Sequence, residues 1–182
     1  RCIGFLGKYG KQAHQNAVYR GVSFLLREQE ANGAWFGRWG TNYIYGTWSV
    51  LEAMQLAKQD MKHTAVRRAV QWLKSVQRED GGWGESNDSY LDPKLAELET
   101  STAFQTAWAL LGLMAAGEVK SESVRRGINY LLSAQSSNHL WEEPWFTAPG
   151  FPRVFYLRYH GYSKFFPIWA LARYRRLTRE NV

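Results

Sequence analysis

The side chains best able to do chemistry in this chain are aromatic. Nine Trp, ten Tyr and nine Phe supply 15% of its 182 residues. Ordinary cores draw more on Leu, Ile and Val, so this excess points to a demand for rings. An aromatic face is apolar, rigid and weakly electron-rich, and it attracts a cation by roughly 0.5–2 kcal/mol per contact. The groups that serve other chemistries are scattered. His14, His63, His139 and His160 show no paired metal-ligand spacing, and Cys2 is the single cysteine. A cysteine-based zinc cluster and an intrachain disulfide are therefore excluded, and no metal is expected. No Gly-x-Ser-x-Gly elbow occurs, which argues against a hydrolase. Gly81-Gly82 belongs to a repeated motif rather than to a phosphate-cradling loop. No cofactor is expected.

The elements that must position the rings come in repeats. The first copy reads Arg20, Phe24-Leu25, Gln29, Gly33 and Trp35. The second reads Arg68, Trp72-Leu73, Gln77, Gly81 and Trp83. The third reads Arg126, Tyr130-Leu131, Gln135 and Trp141, with His139 where the others carry Gly. The basic residue, aromatic, Gln and Trp keep identical offsets in all three.

Each Arg-to-Gln stretch predicts a helix, with Val18, Val22, Leu25 and Leu26 on one face of the first. The Gln falls at the helix C-terminus, where its amide could donate to unpaired carbonyls. The Gly or Asn that follows turns the chain. The Trp packs back, and its indole N–H needs a backbone acceptor. Gln29, Trp35, Gln77, Trp83, Gln135 and Trp141 therefore read as structural clasps. Between copies, residues 45–57 (Trp48, Leu51, Met54, Leu56) and 100–116 (Phe104, Trp108, Leu111, Met114) predict inner helices, and a last helix is expected over 164–177. The fold class is all-α, built of tandem helical hairpins. No run alternates long enough to predict a strand.

The net charge of +7 sits in dispersed pairs, Arg67-Arg68, Arg125-Arg126 and Arg175-Arg176. These read as solvated helix faces with a mild preference for anionic membrane surfaces. No nucleic-acid partner is expected. No apolar run approaches the ~20 residues of a spanning helix. The start, Arg1-Cys2-Ile3-Gly4, has neither a signal-peptide layout nor an initiator Met, so residues 1–182 are expected to be cut from something longer.

The tandem Arg/aromatic/Gln/Gly-x-Trp pattern resembles the QW repeat of class II triterpene cyclases, bacterial squalene–hopene cyclases in particular. The stretch from Gly37-Arg38-Trp39-Gly40 to Tyr45-Gly46-Thr47 carries the resemblance. So do Asp80 to Glu85, Ser101-Thr102 with Gln105 to Leu110, and Gly150-Phe151-Pro152 continuing through Phe155-Tyr156-Leu157. The resemblance covers essentially the whole chain. It implies the C-terminal part of a cyclase barrel domain, truncated at its N-terminus and forming about half of an (α/α)6 barrel. The family's protonating Asp-x-Asp-Asp is absent, and the nearest acidic cluster, Glu85 with Asp88 and Asp92, does not match it.

Through this resemblance Trp39 would line the cavity near early carbocations, and Tyr45 would join the polar network near the acid. Phe155 would stabilise ring-forming cations and Phe151 later ones. Leu157, Tyr159 and Tyr162 would shape the pocket. Val154 departs from the acidic residue usual at its position. The implied partners are squalene or a related polyprene, the missing N-terminal portion, and one leaflet of a membrane on its cytoplasmic side, held peripherally. The isolated chain would be inactive for want of the acid. Two alternatives stand beside this: a non-catalytic isoprenoid-binding or scaffold repeat module, and a relative acting on another polyprene.

Overall fold

The computed structural model describes residues 2–147, 149–151 and 153–179. Pro152 of the Gly-Phe-Pro motif lies outside them. The helices are α1 (Cys2–Tyr9), α2 (Gln15–Arg27), α3 (Tyr43–Leu56), α4 (Thr64–Ser75), α5 (Ala103–Ala115), α6 (Glu122–Ser133) and α7 (Tyr162–Arg179). They form two rows. An inner row packs α1 on α3, α3 on α5 and α5 on α7, while α2, α4 and α6 flank it. Among the described residues the helices do not close into a barrel.

Composition decides the row. Ala103–Ala115 is apolar apart from Gln105 and Thr106, and every residue of α5 is buried, as expected for a helix enclosed on all sides. The sequence of α4 is amphipathic, and it buries only Ala65, Val66, Ala69, Val70 and Leu73. Caps fix the starts: Thr102 Oγ1 accepts the Gln105 N–H at 3.3 Å, and Ser121 Oγ accepts that of Val124 at 3.4 Å, which satisfies donors that have no partner in the first turn.

The three clasps share one geometry. The indole N–H of Trp35, Trp83 and Trp141 donates to the carbonyl of Leu25, Leu73 and Leu131 at 2.7, 2.8 and 2.8 Å. Each acceptor lies in the last turn of an outer helix, where carbonyls lack helical partners. The Gln amides go elsewhere than the sequence suggested. Gln29 donates to Gly33 O and to Ala65 O of the next outer helix, both at 2.8 Å. Gln77 donates to Gly81 O and Ser123 O at 2.8 and 2.9 Å. The indole already serves the helix end, so the amide links one repeat to the next.

Four short strands correct the expectation of none. β1 (Trp83–Glu85) pairs antiparallel with β2 (Glu97–Thr102), and β3 (Pro149–Phe151) with β4 (Phe155–Tyr156). Three of them span two or three residues, too few for alternation to show. They form because the chain doubles back across 3₁₀ turns at Asn87–Tyr90 and Pro93–Leu95, and across the turn at Arg153 and Val154.

Candidate functional site

Two groups of rings gather the residues singled out in the sequence. Trp39 meets Phe151 edge-on with centroids 6.3 Å apart, and Phe151 meets Phe155 at 5.6 Å. All three stand open to solvent, at 51%, 52% and 43% exposure. Leu157, just past β4, is also 43% exposed. The Arg38 guanidinium lies 5.3 Å over the Trp39 ring, so one face of that indole is already engaged by a cation.

The second group centres on Trp108, which is fully buried on α5. Tyr45 meets it edge-on at 5.0 Å, Tyr162 at 5.7 Å and Phe104 at 5.3 Å. Trp48 stacks on it at 6.1 Å. Tyr159 extends this group through Tyr162, 4.9 Å away. The sequence placed Trp108 among core residues; the structure makes it the shared neighbour of two predicted cavity residues. Tyr159 and Tyr162 line an open cavity of about 450 Å³ together with Phe104, Glu143, Phe146 and Arg158. Trp39, Phe151 and Phe155 do not border it.

The Trp39 loop is held by polar groups, of which Thr41 and Asn42 lie in the matched motif and Tyr90, Asn87 and Thr147 lie outside every matched stretch. The Tyr90 hydroxyl donates to the Gly37 carbonyl at 2.6 Å and lies against that of Gly40. The Tyr90 carbonyl in turn accepts from Arg153 Nε at 2.5 Å. Tyr90 therefore ties both the Trp39 loop and the hairpin carrying Phe151 and Phe155 to one point. Burial pushes its phenol well above the ordinary range, so it stays a neutral donor. Asn42 Oδ1 accepts the Gly37 N–H at 3.1 Å, and Thr147 Oγ1 accepts the Thr41 N–H at 2.9 Å. Thr41 also donates to Asn87.

Tyr45 is aimed by the start of α3, which Glu85 holds. Its two carboxylate oxygens accept the N–H groups of Tyr43 and Ile44, each at 3.0 Å. The side chain is buried, and desolvation raises its pKa against the lowering effect of those hydrogen bonds. Glu143 does the same at α5, accepting from Ala103 N–H; burial pushes its carboxyl up to about 7. Both glutamates lie two residues after a clasp Trp, a spacing legible in the sequence though its purpose was not. Asp88 is exposed and Asp92 caps a 3₁₀ turn through the Lys94 N–H. The three acids named together in the sequence thus have separate structural work. Among the described residues no group of three or more His, Cys, Asp or Glu could hold a metal.

Known proteins share this arrangement of sequence. Residues 1–176 match the family described as the squalene-hopene cyclase C-terminal domain. The whole chain is 58% identical over 184 residues to a "Probable squalene–hopene cyclase" of Sinorhizobium fredii and 56% identical over 182 residues to the squalene–hopene cyclase of Zymomonas mobilis, covering 28% of each. Over 87% of its length it is 47% identical to a dammaradiene synthase of Dryopteris crassirhizoma, covering 25% of that protein. The chain therefore spans little more than a quarter of the length of these relatives, and it belongs to the squalene-hopene cyclase C-terminal domain family.

Proposed function

We propose that the chain is the C-terminal segment of a squalene–hopene-type cyclase, and that its exposed rings form one wall of the cavity in which linear squalene is folded and cyclised. One observation carries this reading. Trp39, Phe151 and Phe155 meet edge to edge, yet each leaves about half its surface open. A row of rings meeting edge to edge and left open together fits a cavity wall better than single exposed rings do.

The chemistry fits such a wall. Protonation of a terminal alkene starts a run of carbocations, which water or any good nucleophile would quench. A dry, rigid, electron-rich surface excludes both and attracts each cation by roughly 0.5–2 kcal/mol per ring. Since about 1.4 kcal/mol is tenfold in rate, a few rings are a large factor. Trp39 would meet early cations, Phe155 the ring-forming ones and Phe151 later ones. Tyr45 would face the acid's polar network, while Leu157, Tyr159 and Tyr162 shape the pocket. The acid lies outside residues 1–182, so the isolated chain is inactive. No helix among the described residues is long and apolar enough to cross a membrane; in this reading the whole protein sits peripherally on the cytoplasmic leaflet.

The test is the product profile of the full-length protein on squalene. Phe155→Ala and Trp39→Ala should each divert flux from the polycyclic product to partly cyclised ones, read by gas chromatography and mass spectrometry. An unchanged profile in both variants would sink the wall assignment. Squalene binding without any cyclised product from the unmodified protein would favour the scaffold alternative.

A further inference from the structure

Tyr90 is buried and ends the 3₁₀ turn Asn87–Tyr90. Continuing that turn would need an N–H from the third residue on. That residue is Pro93, which has none. The next N–H, of Lys94, is spent on Asp92 Oδ1 at 2.9 Å. A buried carbonyl left without a donor is costly, so the donor to Tyr90 O has to come from a distant part of the chain. Arg153 supplies it through Nε, 2.5 Å away and 63 positions on.

The donor stands on an unfavourable backbone. The Val154 N–H donates to Phe151 O at 3.0 Å and closes the turn between β3 and β4. Within that turn Arg153 has φ +70°. Glycine enters this left-handed region freely, whereas a residue with a Cβ pays for it. Such strain persists where the surroundings over-determine it, and here the Tyr90 carbonyl holds the side chain. A glycine would suit the turn better and would leave Tyr90 O unpaired.

The hairpin carries its rings as one body. Phe155 lies over Gly150 so closely that a Cβ there would overlap its ring, and it meets Phe151 at 5.6 Å. Movement at Arg153 therefore shifts both rings together against Trp39, whose loop hangs on the hydroxyl of the same Tyr90. We propose that Arg153 is a positioning residue for the cyclisation, setting the Phe151–Phe155 pair against Trp39 through the Tyr90 carbonyl. The proposal rests on the reading of these rings as a cavity wall, and Arg153 acts through the rings rather than on the substrate. A misplacement of about 1 Å can cost roughly 100-fold in rate, enough to change which product a cation cascade gives.

The acceptor is main chain, so the test varies Arg153 in the full-length protein acting on squalene. Partly cyclised and polycyclic products are separated by gas chromatography and mass spectrometry, well below each variant's unfolding midpoint. Arg153→Met has the same reach and no donor, and should raise the share of partly cyclised products several-fold. Arg153→Gln carries its Nε2 as many bonds from Cα as the Arg Nε, and should restore most of the unmodified profile. Arg153→Gly removes the hydrogen bond and the strain together. Its products should be as disturbed as those of Arg153→Met, while its midpoint in urea lies higher. A merely structural residue would move midpoints and total turnover and leave the product ratio alone. An unchanged ratio in the Met and Gly variants, or a Gln variant as disturbed as Met, would overturn the proposal. If Phe155→Ala alters the profile in the same assay, the wall reading survives that result; unchanged profiles in Phe155→Ala and Trp39→Ala overturn both. The Gly variant, whose backbone suits the turn, decides the matter if Arg153→Met fails to fold.

Discussion

Glu85 Oε1 accepts the backbone N–H of Tyr43 at 3.0 Å, joining a strand that follows the second clasp to the helix that follows the first. Its counterpart, Glu143, caps α5 with one oxygen, while Oε2 is buried without a partner. Burial raises both carboxyls. A raised carboxylate pKa means that the folded state holds the proton more tightly than the unfolded one. Stability is then greatest below the unfolded value near 4.5 and falls as pH rises through the folded one. For Glu143, with a folded value of about 7, the loss between pH 4.5 and 7 is of order 3 kcal/mol at 1.36 kcal/mol per unit. Glu143→Gln should flatten that part of the stability–pH curve measured by urea unfolding; a curve of unchanged slope would contradict the assignment.

Tyr90→Phe should loosen the Trp39 loop without creating a cavity. It removes the hydroxyl that donates to Gly37 O and lies against Gly40 O, leaving the Gly37 carbonyl short of a partner at a cost of about 1–3 kcal/mol. In the full-length protein this variant should also shift products toward those of Trp39→Ala. Loss of stability with an unaltered profile would separate the loop's anchoring from its use.

Gly81→Ala and Gly117→Ala compare strain with and without a clash. Both positions have positive φ, +87° and +89°, but a Cβ at 117 meets nothing within 4 Å, whereas at 81 it lies 2.7 Å from a carbonyl oxygen. The shared conformational penalty is about 1 kcal/mol. Gly81→Ala should cost at least about twice that, since the rigid backbone of α6 must move. Equal midpoints in thermal unfolding would show that the joint between repeats is soft.

The Arg173 side chain on α7 is 9% exposed and pairs with Glu52 of α3 at 2.6 Å, while its second terminal nitrogen donates to Gln55 at 2.7 Å. Arg173→Met strands the Glu52 carboxylate and should destabilise by about 3 kcal/mol. The double variant with Glu52→Leu should recover much of this. Additive losses in that cycle would mean that the pair is uncoupled.

Much of this architecture can be read along the chain. Amphipathic periodicity pointed to α2, α4 and α6, and stretches rich in aromatic and small residues to α3 and α5, because both signals are local in sequence. The clasp Trp was readable for the same reason: its acceptor lies ten residues back in its own repeat. The motif around Trp39 and the Gly150–Leu157 segment named the rings. The partners of those rings were not legible. Tyr90 holds Gly37 across 53 positions and Arg153 across 63, and no period or motif encodes such a pairing. The direction of the Gln amides was likewise decided by a neighbour's helix, 36 or 46 residues on. Sequence determined which faces are apolar and where each helix ends, since those follow from side chains a turn apart. Tertiary structure decided which rings meet and which stay open, because that depends on how rows of helices settle against buried hydrogen bonds far apart in the chain.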